Sequence, residues 1–308
     1  MEVYLPIAEM PVNVFVILGL GAAVGFISGL FGVGGGFLLT PMLIFLGLPS
    51  PVVVASQAPQ IAGSSLTGAL AYWRKKALDV KLGTVLIVGG LIGTQLGVMF
   101  FNAMRESGQL DIVIVLSYIT LLGLVGGLML AESLRAVART RSGAPPPRRT
   151  VGRHRWYEGL PFKMRFHRSG LYVSIIPLLV ISCGIGFAGA VLGIGGGFIL
   201  VPALIYIFRV PANVVVGTSL FQILCTMIAA TLLHATSSHA VDAVLATVLL
   251  IGSVFGAQFG ARAGANIRGE HFRLLLALMI LAVALRFAYD VLNKPEELFT
   301  ATLTETAR

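Results

Sequence analysis

The stretch Gly25–Pro41, GFISGLFGVGGGFLLTP, returns later in the chain as Gly186–Pro202, GFAGAVLGIGGGFILVP. The correspondence continues outward. PSPVVVASQAPQ (Pro49–Gln60) meets PANVVVGTSLFQ (Pro211–Gln222), Gly93-Thr94-Gln95-Leu96-Gly97 meets Gly256-Ala257-Gln258-Phe259-Gly260, and Asp79 stands opposite Asp242. Apolar runs can resemble one another by composition, but glycines, prolines and glutamines at matched positions do not. The chain is therefore read as two copies of one unit.

Each copy holds five apolar runs, near 12–31, 37–48, 53–73, 80–101 and 110–130, then near 171–192, 198–208, 214–236, 241–263 and 272–290. Only 11% of the 308 residues are charged, against about 25% in soluble domains, and the mean hydropathy is positive. A helix needs about 20 apolar residues to cross roughly 30 Å of hydrocarbon. The expected fold is an all-α polytopic membrane protein. Its parts are an N-terminal membrane repeat over 1–130, a basic linker over 131–170, a C-terminal membrane repeat over 171–294 and a polar tail over 295–308.

The net charge of +9 raises nucleic acid as a partner, but Lys and Arg are confined to a few loops, where a topology signal explains them. Cys183 and Cys225 sit inside apolar runs without CxxC or His-rich spacing, so no disulfide framework, metal or other cofactor is indicated. The opening MEVYLPIAEMP carries Glu2 and Glu9 and no Lys or Arg. The first apolar run is thus expected to be retained rather than cleaved.

An odd number of spans per copy turns the second copy upside down, and the charges agree. Arg74, Lys75, Lys76 and Lys81 fill a loop whose counterpart, Ala235–Val241, has no Lys or Arg. Arg105, beside Glu106, is matched in the second copy by Arg262, Arg268 and Arg273. The signs exchange sides, as inversion requires. The linker, with Arg135, Arg139, Arg148, Arg149, Arg153 and Arg155 among its cations, belongs in the cytoplasm, which puts both termini on the periplasmic side. It reads as a solvated connection, with contact to anionic lipid as the sharper alternative.

Two constellations could carry chemistry. The glycine runs Gly34, Gly35, Gly36 and Gly195, Gly196, Gly197 should break their helices, leaving short or re-entrant segments after them. Helices restarting near Phe37 and Phe198 would aim free N–H groups and the positive end of the dipole at an anion. Close helix packing is the alternative use of such glycines. The second constellation is a stripe, Ser56, Gln60 and Ser64, at i, i+4 and i+8 on one helical face. Thr218, Gln222 and Thr226 repeat it, and Gln57 and Ser219 flank it. Gln60 lies roughly 12 Å inside its segment. Neutral amides and hydroxyls can bind an anion without the cost of burying a cation; hydrogen bonds between helices are the plainer reading. Gln95 and Gln258 read more readily as such bonds, and His234 as packing near a segment end.

The repeated GxGGGF-x-x-x-P element, the basic loop after the third segment and the duplication resemble the sulfite exporter TauE/SafE family, over roughly Val12 to Leu130 and Leu171 to Val291. The resemblance implies two homologous halves and transport of sulfur-containing anions, sulfite or organosulfonates, in the bacterial inner membrane. Carried over, its motif covers Gly34, Gly35, Gly36 and Pro41, with Gly195, Gly196, Gly197 and Pro202. The expected function is a multi-pass transporter working by alternating access around a site between the repeats. A small anionic substrate, membrane lipids, a coupling ion (proton or sodium) and further copies of the chain are compatible partners. An anion channel and a membrane anchor subunit are the rivals. An enzyme is not, because no Ser/His/Asp, Cys/His or metal-ligand cluster recurs at membrane depth.

Overall fold

A computed structural model describes residues 2–31, 35–141, 161–166, 168–208, 210–264 and 269–293. Among these, ten helices follow in order: α1 (Val14–Phe31), α2 (Gly36–Phe45), α3 (Ser50–Arg74), α4 (Val80–Glu106), α5 (Leu110–Arg141), α6 (Ile175–Leu192), α7 (Gly197–Pro202), α8 (Ala212–Leu233), α9 (Ala243–Gly264) and α10 (Gly269–Asn293). α7 runs into a π-helical turn, Ala203–Ile207, and α8 into another, His234–Ser238. Residues 131–141, read as the start of the linker, continue α5. Residues 142–160 and the tail over 295–308 lie outside the described residues.

The chain is not entirely helical. A hairpin precedes the first helix of each half: β1 (Glu2–Leu5) pairs antiparallel with β2 (Met10–Asn13), and β3 (Lys163–Phe166) with β4 (Leu171–Ser174). These strands correct the all-helical expectation, which ran 171–174 into the following apolar segment. Four residues are too few to show a period of two beside a long apolar run. The pairs persist because Leu5, Phe166, Leu171 and Val173 are buried.

Among the described residues, five helical stretches are long and apolar enough to cross a membrane: Val80–Glu106, Leu110–Ala131, Ile175–Leu192, Val214–Ser238 and Ala243–Gly260. Val14–Gly29, Gly36–Phe45 and Ala277–Tyr289 are shorter apolar helices. α3 has the length, at 25 residues, but too polar a composition to be among the five. Its Ser and Gln side chains are turned into the protein.

Two compact units divide the chain, Met1–Ile114 with Gly143–Arg268, and Val115–Ser142 with Gly269–Arg308. In the first, α1 lies along α9, α4 along α6, and α3 against α8. Glycine makes the first two contacts close. Gly25 meets the backbone of Ser253 and Gly29 that of Ala257, while Gly93 meets Cys183 and Gly97 meets Phe187, so that a methyl group at any of them would strike the facing chain. Small residues four apart let helices touch backbone to backbone. Within both pairs the helices run in the same direction. α3 and α8 run in opposite directions, with Gly68 against Leu220 and Tyr72 against Gly217. Ala58, Ile61 and Ala62 pack there with Ile223, Met227 and Ala230.

Two buried aspartates pin the helix starts. Asp79 precedes α4 and accepts hydrogen bonds from Leu82 N (3.3 Å), Ser169 N (3.0 Å) and Ser169 Oγ (2.7 Å), the last two from the turn between β3 and β4. Asp242 precedes α9 and accepts from Val244 N (3.0 Å), Leu245 N (3.1 Å) and Ile7 N (2.9 Å), in the turn between β1 and β2. Each hairpin thus fastens a helix of the other half. In the second unit α5 and α10 meet at Gly126 beside Ile280, and the Tyr118 and Phe287 rings lie 5.6 Å apart.

Candidate functional site

The helices stop at Phe31 and Leu192 and restart at Gly36 and Gly197. Gly34 lies outside the described residues. Gly35 caps α2 at φ +62°, and Gly195 and Gly196 lead into α7 at φ +74° and +78°, a left-handed backbone that side chains with a Cβ rarely adopt. The two turns touch. A Cβ on Gly36 would sit 2.5 Å from the carbonyl oxygen of Gly193 and 3.0 Å from that of Ile194. Just beyond, Phe37 and Phe198 stack with centroids 5.0 Å apart and planes 16° apart. The glycines are thus packed on each other and on Ile61 and Ile185.

All eight polar candidates on α3 and α8 are buried: Ser56, Gln57, Gln60, Ser64, Thr218, Ser219, Gln222 and Thr226. They divide by partner. Ser56 Oγ accepts from Asp242 N (2.8 Å) and Thr218 Oγ1 from Asp79 N (3.1 Å), so these two hydroxyls extend the aspartate clamps. Ser64 donates to Ile61 O (3.0 Å) and Thr226 to Gln222 O (3.0 Å), bonds within their own helices. Thr40 donates to Gln57 Oε1 at 2.9 Å, joining α2 to α3.

The middle of the stripe is different. Gln60 Oε1 and Nε2, Gln57 Nε2, Gln222 Oε1 and Ser219 Oγ are buried without a hydrogen-bond partner, and so are Ser65 Oγ and Thr94 Oγ1. A buried polar atom left unpaired costs about 1–3 kcal/mol, which makes these residues the candidates for meeting something polar. Sequence reading missed Ser65 and Thr94. Thr94 lies in the matched Gly93–Gly97 element, where its neighbour Gln95 drew the attention; Gln95 is in fact exposed.

A cavity of about 500 Å³ reaches the stripe at Ser64, while Gln57, Gln60, Thr218, Ser219, Gln222 and Thr226 are not among its lining residues. Ser28 and Ser64 lie in its wall, with Tyr72, Arg74 and Lys75 from the last turn of α3 and Gln258 and Arg262 from α9. Gln258, read as a bond between helices, faces this space instead. Ser64 is one turn from Gln60 along α3, toward the mouth. Among the described residues the charged side chains in its lining are Arg74, Lys75 and Arg262, all positive. Among the described residues no three His, Cys, Asp or Glu side chains gather as metal ligands.

Comparison with known proteins supplies the lineage. The family described as "Sulfite exporter TauE/SafE" matches residues 17–287. The probable membrane transporter protein YunE of Bacillus subtilis is 25% identical over 289 residues, covering 90% of this chain and 97% of its own. YjnA of the same organism, also a probable membrane transporter protein, is 28% identical over 276 residues, 88% of this chain and 98% of its own. A probable membrane transporter protein of Xylella fastidiosa is 26% identical over 284 residues, 89% and 94% of the two chains. No solved structure matches the chain. With ten helices among the described residues, five of their stretches fit to span a membrane and a family match over residues 17–287, the chain is a multi-pass membrane protein and belongs to the sulfite exporter TauE/SafE family of membrane transporters.

Proposed function

We propose that the protein carries a small anion, sulfite or an organosulfonate, across the bacterial inner membrane by alternating access around the buried cluster on α3 and α8. The two halves act as inverted repeats. Equivalent helices α3 and α8 run in opposite directions, and the pairing of α1 with α9 is answered by that of α6 with α4. The exchange of basic loops between the copies agrees, and it sets the linker in the cytoplasm and the termini in the periplasm.

The observation that carries this reading is Gln60, fully buried with both amide atoms unpartnered, and its counterpart on α8, Gln222, buried with an unpartnered Oε1. Amides and hydroxyls donate to an anion yet remain neutral when it leaves. A permanent cation at this depth would bind too tightly to release, or would have to be neutralised. The cations stand instead at the cavity mouth, where they gather anions from solution. The relatives' description as probable membrane transporters supports the same class of activity.

The test is uptake by the purified chain in proteoliposomes, screened with sulfite, thiosulfate, sulfoacetate, taurine and simple carboxylates. Gln60→Leu with Gln222→Leu should lower flux by about tenfold or more, since a hydrogen bond to an anion contributes about 1.5–3 kcal/mol. Melting should hardly move, because the substitutions remove unpaired polar atoms and keep the volume. Unchanged flux in the double variant would refute the site. Saturation with trans-stimulation separates a transporter from a channel.

A further inference from the structure

The cavity has a counterpart by sequence alignment. Tyr72, Lys75, Ala257 and Arg262, which line it, align with His234, Ser237, Thr94 and Met99. These counterparts belong to the far end of the first unit, where α4 and α8 finish. There the side chains condense. Asn102 Nδ2 donates to Ser237 Oγ at 3.2 Å, Ser238 Oγ donates to Asn102 Oδ1 at 2.6 Å, and the Arg105 guanidinium donates to the Ser238 carbonyl. His234 is buried, with Nε2 3.1 Å from Ala190 O and Nδ1 3.2 Å from Ser238 Oγ, and its ring meets Phe101 edge to face at 4.7 Å. The π-helical turn His234–Ser238 aims these groups at α4; such turns recur at functional positions in helices.

We propose that this network, Asn102, Arg105, His234, Ser237 and Ser238, is the closed gate at the second mouth of the anion path, and that Arg105 is the cation that receives the anion there when the gate opens. The inference rests on the transport reading above. One end of the unit is open and lined by Arg74, Lys75 and Arg262, while the aligned end is shut by neutral hydrogen-bonding groups around a single cation. Thr94, buried and unpartnered, lies two turns inside Asn102 on α4, at the position matching a wall residue of the open cavity. Opening the gate would make Thr94 part of a cavity wall, as Ala257 is now at the other end. It would also release Arg105 from the Ser238 carbonyl, leaving a cation at that mouth as Arg262 is at the other. Apart from the guanidinium of Arg105 on the Ser238 carbonyl, the bonds that hold the gate join neutral groups and are few, so they can be remade at each cycle.

The experiment uses the full chain carrying Cys183→Ala and Cys225→Ala, labelled by a membrane-impermeant thiol reagent from one face at a time. Gln258→Cys, exposed in the cavity wall, should label from the Arg262 face, which also reports that the protein is folded. Thr94→Cys should resist label from the Arg105 face until Asn102→Ala and Ser237→Ala cut the network, and then label about tenfold faster or more. Equal labelling of Thr94→Cys with and without the cut would overturn the gate. Labelling needs no substrate, so it tests the gate whether or not the right anion has been found. Separately, Asn102→Cys joined to Ser237→Cys by a short cleavable crosslinker should stop flux and release it on cleavage. Full flux through the crosslinked protein would overturn the gate, whereas an uncrosslinked parent inactive with every anion would overturn the transport reading instead. Arg105→Gln should raise KM about fivefold for anion offered from its own face and less than twofold from the other. Equal changes from both faces would remove Arg105 from the proposal.

Discussion

The two ends of the larger unit are built on one plan and finished differently. The starts of α4 and α9 are each fixed by a buried aspartate that accepts from a hairpin turn of the other half, Asp79 from Ser169 and Asp242 from Ile7. Each clamp is completed by a hydroxyl of the polar stripe, Thr218 or Ser56. Yet one end is open around Arg74, Lys75 and Arg262, and the other is drawn shut by Asn102, Ser237 and Ser238 around Arg105. The difference lies in side-chain chemistry at aligned positions rather than in the frame. Two like charges 4 Å apart repel by about 1 kcal/mol in water and about 4 kcal/mol at the effective dielectric near a protein surface. On the transport reading proposed above, cations would hold their end apart until an anion sits among them, whereas amides and hydroxyls close by meeting each other.

If the frame is common to both ends, the clamps should be equally costly to break, and this is the largest effect expected. Asp79→Ala and Asp242→Ala each strand three donors, and each should destabilise the protein by about 2–4 kcal/mol, given about 1–3 kcal/mol for a buried group left unpaired. The measurement is the melting midpoint in detergent, with Asp→Asn at each site as the milder comparison. A large loss at one aspartate and none at the other would mean that the ends do not share a frame.

A smaller effect tests the equivalence of the helix pairs that join the ends. Gly25→Ala would press a methyl into Ser253 on α9, and Gly93→Ala would press one into Cys183 on α6. Overpacking of this kind costs about 1–3 kcal/mol. Gly184→Ala on α6 meets nothing within 4 Å, so it should stay neutral or gain slightly in helix propensity. Matching losses for Gly25 and Gly93, with none for Gly184, would sharpen the comparison; a neutral Gly93→Ala would break it.

How far the sequence disclosed this arrangement depended on whether partners are close along the chain. The glycine turns and the Ser/Thr-Gln stripes were legible because each is a local pattern, and because the second copy repeats it. Spacing alone could not distinguish the jobs within a stripe. Ser56 and Gln60 share a helical face, but Ser56 meets Asp242 N and Gln60 meets nothing, and the partner that decides this is far away in sequence. The hairpins were hidden by their brevity beside long apolar runs. The gate was hidden because Asn102 and Ser237 have no shared motif, and because a histidine near a segment end reads as packing. Thr94 and Ser65 escaped because a lone hydroxyl in an apolar helix usually satisfies its own backbone.

The mildest prediction asks whether charge is what distinguishes the open end. Arg74→Thr with Lys75→Ser installs the residues that occupy the aligned positions of the closed end, Thr236 and Ser237. Both cations are exposed at the cavity mouth, so they attract anions through solvent and are screened by salt. Flux entering from that face should fall about three- to tenfold at low ionic strength. The deficit should shrink to less than about twofold near 1 M salt, where the Debye length is about 3 Å. Relieved of like-charge repulsion, that end should also close more readily without substrate, so labelling of Gln258→Cys, exposed in the cavity wall, should slow. Flux and labelling that both ignore the substitution would show that Arg74 and Lys75 only orient the chain in the membrane. The open and closed ends would then owe their difference to the backbone turn at His234–Ser238 rather than to charge.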